Sequence, residues 1–445
     1  MKRFLKVISA LIGLTIWMSV SGCGLNRTTP MPSESSTAKE PKQVRMRFSW
    51  VGGDARHQAT LKAMDAYMAR TPNVIIEGEY GGFVGWSEKL MTQFAAGTAP
   101  DVMQIDPGWV YQLYSVQDQM VDFYKQDVID LNIFQGNELL YEKIVSGNGK
   151  LMGVPAGVNT MCLFGNKKVF DEVGIDSSMP FTWDRLFEEA KKVHAHDSNM
   201  YLMSTPFPGR YIFGLYLLNQ SGDYLIKNDY SLGFTEEQAA RSFAFVQRLY
   251  DEKVLQPLDQ IIGVVNDIEM PGWIDNKIAM FPNNPGTTWS SVQKSIGKEN
   301  MLILPPLGDV TAKNTSVMMR ASVFFGALQS EKTPQALDFI NFLITDPEAH
   351  SILGIQRSLP VNQKQFEYVT RNNLLPDGFM DVIKYCKENK GGQGYNVLSD
   401  DVYYETIEKE LIAKVYYGES TPESAAKEFV NTVEKYVADL KAAKW

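Results

Sequence analysis

The chain has 445 residues, with 52 Asp and Glu against 43 Lys and Arg, a formal net charge of -9. An acidic balance argues against a nucleic-acid partner, and the roughly 400 residues beyond the amino-terminal segment are too many for one simple core, so two domains or more are expected. Four His and three Cys, none at a spacing that suits zinc, give no reason to expect a metal or cofactor.

Lys2, Arg3 and Lys6 form a basic start, and the run from Val7 to Val20 is apolar and uncharged. That pattern predicts an export signal, too short to span a bilayer comfortably. Removing those three cations takes the formal charge from -9 to -12. Val20-Ser21-Gly22-Cys23 resembles the lipobox of bacterial lipoproteins. The resemblance implies removal of residues 1–22 and a lipid on Cys23, which would hold the protein on the outer face of the cytoplasmic membrane. Residues 23–43 lack apolar periodicity and are expected to be a disordered tether. No later run is long and apolar enough for a membrane helix.

The body opens with Val44-Arg45-Met46-Arg47-Phe48-Ser49-Trp50, whose strict alternation predicts a strand ended by Gly52 and Gly53. Leu61, Met64, Tyr67 and Met68 recur at helical spacing, and Val74-Ile75-Ile76 predicts the next strand. A second helix follows, with Ser87 as expected N-cap and Gly97 as its stop, then a strand over Ala99–Asp106. Strands alternating with helices predict a parallel sheet, and ligands of such sheets lie beyond the carboxyl ends of the strands. The later chain is mostly helical in pattern. Thr235 with Gln238 forms a capping box, and Thr333-Pro334, Asp346-Pro347 and Thr421-Pro422 each set a capping side chain before a first-turn proline. Ile278–Phe281, Met301–Leu304 and Val323–Leu328 read as further strands. Gly147-Asn148-Gly149-Lys150 lacks the spacing of a phosphate loop and reads as a hairpin turn.

Several segments together resemble the family 1 extracellular solute-binding proteins of bacterial carbohydrate ABC importers, a family that includes maltodextrin-binding proteins. They are Trp50-Val51-Gly52-Gly53-Asp54, Gln93 to Val102, Gly165 to Phe170, Phe181-Thr182-Trp183-Asp184, Phe339 to Pro347 and Leu359-Pro360. Gly165 departs from the aromatic residue usual before Asn166. The resemblance implies an α/β, two-lobed periplasmic-binding-protein-like fold of type II, with discontinuous lobes joined by a multi-crossing hinge. One lobe would comprise residues 44–154 and 305–356, the other 155–304 and 357–445. Crossings are expected near Val154–Asn159, Leu304–Leu307 and Gln356–Val361. The implied partners are a carbohydrate, bound by a monomer, and the permease subunits of an ABC transporter.

A pyranose presents an apolar C–H face and a rim of hydroxyls, so its site needs aromatic planes and planar polar side chains. From loops after strands, the candidates are Trp50, Asp54, Trp86, Asp106 and Trp109 in the first lobe and Trp273, Asn283 and Trp289 in the second. Trp183, at a helix start, is expected to pack. Asp106 also suits a cap for the turn at Pro107. Arg56 is expected to pair with Asp54, although its geometry also suits a uronate carboxylate. Many Trp and the segment from Trp50 to Arg56 lean towards an oligosaccharide. The other class to weigh is a secreted polysaccharide-acting enzyme, a glycosidase or lyase, but no acid pair, nucleophile elbow or metal helix stands out. His194-Ala195-His196 has no third ligand nearby and reads as a solvated helix end. Cys162 and Cys386 are read as a disulfide or as two buried thiols.

Overall fold

The computed structural model describes residues 43–134, 149–227, 229–264, 267–285, 288–309, 311–312, 315, 319–389, 396, 398–399 and 402–442. The chain divides into residues 1–42 and a compact body of residues 43–445. The export signal, Cys23 and almost all of the tether therefore lie outside the described residues, as do Gly147 and Asn148 of the expected hairpin turn.

Eight strands are described: β1 (Val44–Val51), β2 (Val74–Gly81), β3 (Val102–Ile105), β4 (Val154–Asn166), β5 (Tyr201–Met203), β6 (Ile278–Pro285), β7 (Met301–Leu304) and β8 (Met319–Ala327). They run in the order β2-β1-β3-β8-β4-β6-β5, with β7 also on β4. β1 is parallel to β2 and β3, and β5 to β6, whereas β8 is antiparallel to both β3 and β4. The alternation in β1 does what its period requires. Met46, Phe48 and Trp50 share one face and enter a core with the helices Asp54–Arg70 and Thr333–Thr345, through Met64, Tyr67 and Phe339.

Two main cores make two lobes. The first draws on residues from Met46 to Val158 and again from Ala321 to Val361. The second runs from Leu163 to Leu307 and from Leu398 to Leu440, and a smaller cluster around Trp273 and Phe281 adjoins it in sequence. Leu304 and Leu307, expected at a crossing, pack in the second core.

β4 gives Val154 and Val158 to the first core and Leu163 to the second, whereas β8 packs in the first. β4 slips register around Pro155, Gly157 and Val158 against β8, where the segment around Leu359 also arrives. Val158 and Leu359 exchange backbone hydrogen bonds of 2.8 and 3.0 Å there. Gly157 makes that approach possible, because a Cβ would lie 2.2 Å from the Arg357 carbonyl oxygen. Gly165, the departure from the family pattern, leaves room for the Phe170 ring, which a Cβ would meet at 3.2 Å.

Local chemistry sets most helix starts. Thr235 and Gln238 form the capping box, Asp346 accepts from the Glu348 N–H at 2.8 Å, and Thr421 accepts from Ser424 at 3.2 Å. Two starts differ from expectation. Lys332 is the N-cap of the helix Thr333–Thr345, and the Thr333 hydroxyl instead accepts from the Ser330 N–H. The helix Trp86–Ala95 starts one residue before Ser87, because Gly85 takes the left-handed turn that brings Trp86 back onto the sheet.

Candidate ligand-binding site

In the first lobe the carboxyl ends of three parallel strands converge. Val51 at the end of β1, Trp86 after β2 and Trp109 after β3 form a small buried cluster of their own. Gly81 makes space for it, since a Cβ would meet the Trp86 ring at 2.9 Å. Outside lies Phe83, 49% exposed, with its ring centroid 5.4 Å from that of Trp109. The Lys89 ammonium sits 4.2 Å from the Trp86 ring centroid and is anchored by Glu79 at 2.8 Å. An exposed ring backed by two rigid indoles is a ready plane for a flat, partly apolar ligand.

Polar groups adjoin the ends of the same strands. Asp106 accepts from the Gly108 N–H at 2.9 Å and so caps the turn Pro107–Trp109. Arg56 does not pair with Asp54 as expected. Its Nε donates to the Gln356 carbonyl at 2.8 Å and its guanidinium to the Val51 carbonyl at 3.1 Å, while Asp54 is exposed at the helix start. Burial lowers the Arg56 pKa to about 10, opposed by Asp106, so the group stays charged near neutrality.

The other candidates divide. Trp50 has no exposed surface: it stacks on Tyr80 at 4.8 Å and donates from Nε1 to His57 at 3.1 Å inside the first core. The alternation that makes β1 a strand puts Trp50 on the buried face, with Phe48. Trp273 is likewise fully buried, 4.1 Å from the Phe281 ring, with Nε1 donating to Ser295 at 2.9 Å. Neither indole offers a face to a ligand in this conformation. Trp289, at the start of the helix Trp289–Ile296, is half-buried, and Asn283 has its backbone in β6 but a side chain outside the described residues. Trp183 packs as expected, against Tyr216 and Phe245. His194 lies 3.3 Å from the Lys253 ammonium at a helix end. Among the described residues no three His, Cys, Asp or Glu side chains gather as metal ligands. Cys162 and Cys386 are buried thiols in one apolar cluster, and burial pushes the Cys386 thiol up to about 12.

Residues 54–349, more than half of the chain, match the family model of the bacterial extracellular solute-binding proteins. The chain belongs to this family. Solved structures agree in fold. A periplasmic solute-binding protein of Pectobacterium atrosepticum SCRI1043 is 22% identical with a TM-score of 0.80. A periplasmic oligogalacturonide-binding protein of Yersinia enterocolitica, solved with saturated digalacturonic acid, is 22% identical with a TM-score of 0.81. An ABC substrate-binding protein of Listeria monocytogenes, solved with cycloalternan, is 19% identical with a TM-score of 0.74. Each covers 89% of this chain and is itself covered completely. The fold is the two-lobed type II binding-protein fold, and the chain is a binding protein, not an enzyme. No helix among the described residues is long and apolar enough to cross a membrane.

In this solute-binding protein the second lobe also presents groups that the sequence did not single out. After β5, the π-helical turn Gly209–Phe213 carries Arg210, which pairs with Glu405 at 3.4 Å. Glu405 lies on the helix Val402–Tyr416, whose Tyr403 is exposed. One turn further, Glu408 is fully buried against Gly209, and burial beside Glu405 pushes its carboxyl well above the usual carboxylate range. Phe83 was the miss with a readable signal: it is an aromatic residue in the Gly81-Gly82-Phe83-Val84-Gly85 loop after a strand.

Proposed function

We propose that this protein captures an oligosaccharide between its lobes and delivers it to the permease of an ABC importer, held outside the cytoplasmic membrane by a lipid on Cys23. The observation that carries the reading is Phe83, exposed and packed at a tilt against Trp109 where the parallel strands of the first lobe end. Support also comes from the two solved structures of the same fold whose bound molecules are a digalacturonic acid and a cycloalternan. Asp54, Trp86, Asp106 and Trp109 belong to the proposed first-lobe wall, with Phe83 in contact and the two indoles behind it. Trp289 and Asn283 are the proposed second-lobe contacts.

A ligand that touches both lobes binds the closed form better than the open form and shifts the population towards closure. The permease then distinguishes loaded from empty protein, and a monomer suffices for the cycle. A thermal-shift screen against plant and bacterial oligosaccharides tests capture. At least one should raise the melting temperature by mass action and be recovered unchanged. Loss of the sugar to products through a cleft carboxylate, or no response across the panel, contradicts the reading. For the anchor, Cys23→Ala should move the protein out of the membrane fraction, and a processed variant that stays anchored contradicts it.

A further inference from the structure

Two guanidinium groups, Arg56 and Arg357, are near enough for one charge to act on the other, and among the described residues neither has a carboxylate in ion-pair contact. Arg357 is 4% exposed and donates to Gln104 Oε1 at 3.0 Å and Thr60 Oγ1 at 2.6 Å, while its Nε has no acceptor among the described residues. The rings of Phe48, Phe325 and Trp50 pack around it at 5.2 to 5.9 Å. Burial and the Arg56 charge both make its own charge more costly to hold. Arg56, bonded to the carbonyl of the adjacent Gln356, spends its Nε and one terminal nitrogen on backbone carbonyls. Its other terminal nitrogen makes no hydrogen bond among the described residues.

The placement of Arg56 matters more than its charge. The Val51 carbonyl it holds belongs to the residue that packs against Trp86 and Trp109, so the guanidinium is fixed beside the aromatic wall. Gly52 permits this, because a Cβ there would lie 2.5 Å from the Arg56 Cδ. Asp106 is the carboxylate whose field reaches Arg56, and one of its oxygens is engaged by the Gly108 N–H. Arg56 is half-buried, and Arg357 behind it is a buried cation whose cost an arriving anion beside Arg56 relieves. A guanidinium with an open donor edge suits a planar carboxylate.

We infer that the ligand is an acidic oligosaccharide, a uronate whose carboxylate is received by Arg56 while its ring lies against the Phe83 wall. Arg357 acts through Arg56, as the second positive charge behind it. This rests on the oligosaccharide reading above and narrows its substrate class.

Titration calorimetry on the mature protein tests the assignment with two acid and methyl-ester pairs, digalacturonate and a glucuronate-bearing xylo-oligosaccharide, beside neutral oligosaccharides. At least one acid should bind about 10- to 100-fold tighter than its own ester, the scale of one charge-assisted contact. Arg56→Gln should abolish that preference, so that acid and ester bind it equally, and Arg56→Lys should restore part of it, with both variants titrated well below their own melting temperatures, which loss of the bonds to Gln356 and Val51 lowers. Equal affinity for acid and ester, or a preference that survives Arg56→Gln, overturns the inference. Binding of neutral oligosaccharides alone overturns it without touching the oligosaccharide reading. Binding of no sugar at all overturns both.

Discussion

Trp273→Ala should destabilise the protein by about 3–5 kcal/mol, the cost of emptying a fully buried indole site. Trp273 has no exposed surface, packs on Phe281 at 4.1 Å and shares its cluster with Cys162, Phe164, Val292 and Ile303. The loss is mainly of packing. Ser295, which accepts from the Trp273 Nε1, keeps its own donation to the Val292 carbonyl at 2.8 Å, so its hydroxyl is not stranded. Trp273→Phe keeps much of the volume and should cost less than half as much. Urea unfolding followed by circular dichroism measures both. A cost under about 1 kcal/mol for the alanine variant would contradict a core role.

Gly157→Ala should cost about 2–4 kcal/mol, unusually much for one methyl group, because it forces backbone apart rather than moving a side chain. The added Cβ would meet the Arg357 carbonyl oxygen at 2.2 Å and the Ser358 Cβ at 2.7 Å. Both belong to the crossing segment that pairs with β4 through Val158 and Leu359. Separation there strains that hydrogen-bonded pair and shifts Arg357, whose side chain ties the crossing to Gln104 and Thr60 in the first lobe. Gly82→Ala, in the loop after β2, is the control. A Cβ there meets nothing within 4 Å, and the change should stay within about 0.5 kcal/mol. Equal melting temperatures for the two variants would contradict the close approach at the hinge.

Elements that depend on local chemistry were legible in the sequence. The alternation of β1, the Thr235 and Gln238 capping box and the Asp346 cap all act over a few residues, and the structure has them where the sequence puts them. β7 spans Met301–Leu304 as read, whereas the apolar run at Val323–Leu328 overlaps a longer β8 that begins at Met319 and ends at Ala327. The antiparallel position of β8 between β3 and β4 was not legible, since it depends on where the chain returns after the second lobe.

The site was less legible because position in a loop does not say which way a ring turns. Trp50 did carry a signal, for it continues the Met46 and Phe48 face of its strand. Trp273 carried none, because the turn after Pro271 has no period from which to read a face. Arg357 could not have been found locally: its side-chain partners Gln104 and Thr60 are 253 and 297 residues away in sequence. Phe83 is the reverse case, an apolar residue among glycines whose exposure follows from having no core-facing period.

The most direct test of the interlobe oligosaccharide site is calorimetric titration of Phe83→Ala and Trp289→Ala with whichever oligosaccharide stabilises the parent protein. In the proposed site Phe83 stands for one wall and Trp289 for the other, and neither is fully buried. Each variant should weaken binding by about 1–3 kcal/mol, the scale of one large apolar contact, when titrated well below its own melting temperature, which Trp289→Ala lowers because Trp289 also packs on the Trp273 cluster. Full affinity in both single variants and in the double variant would contradict a ligand held between the Phe83 wall and the second lobe.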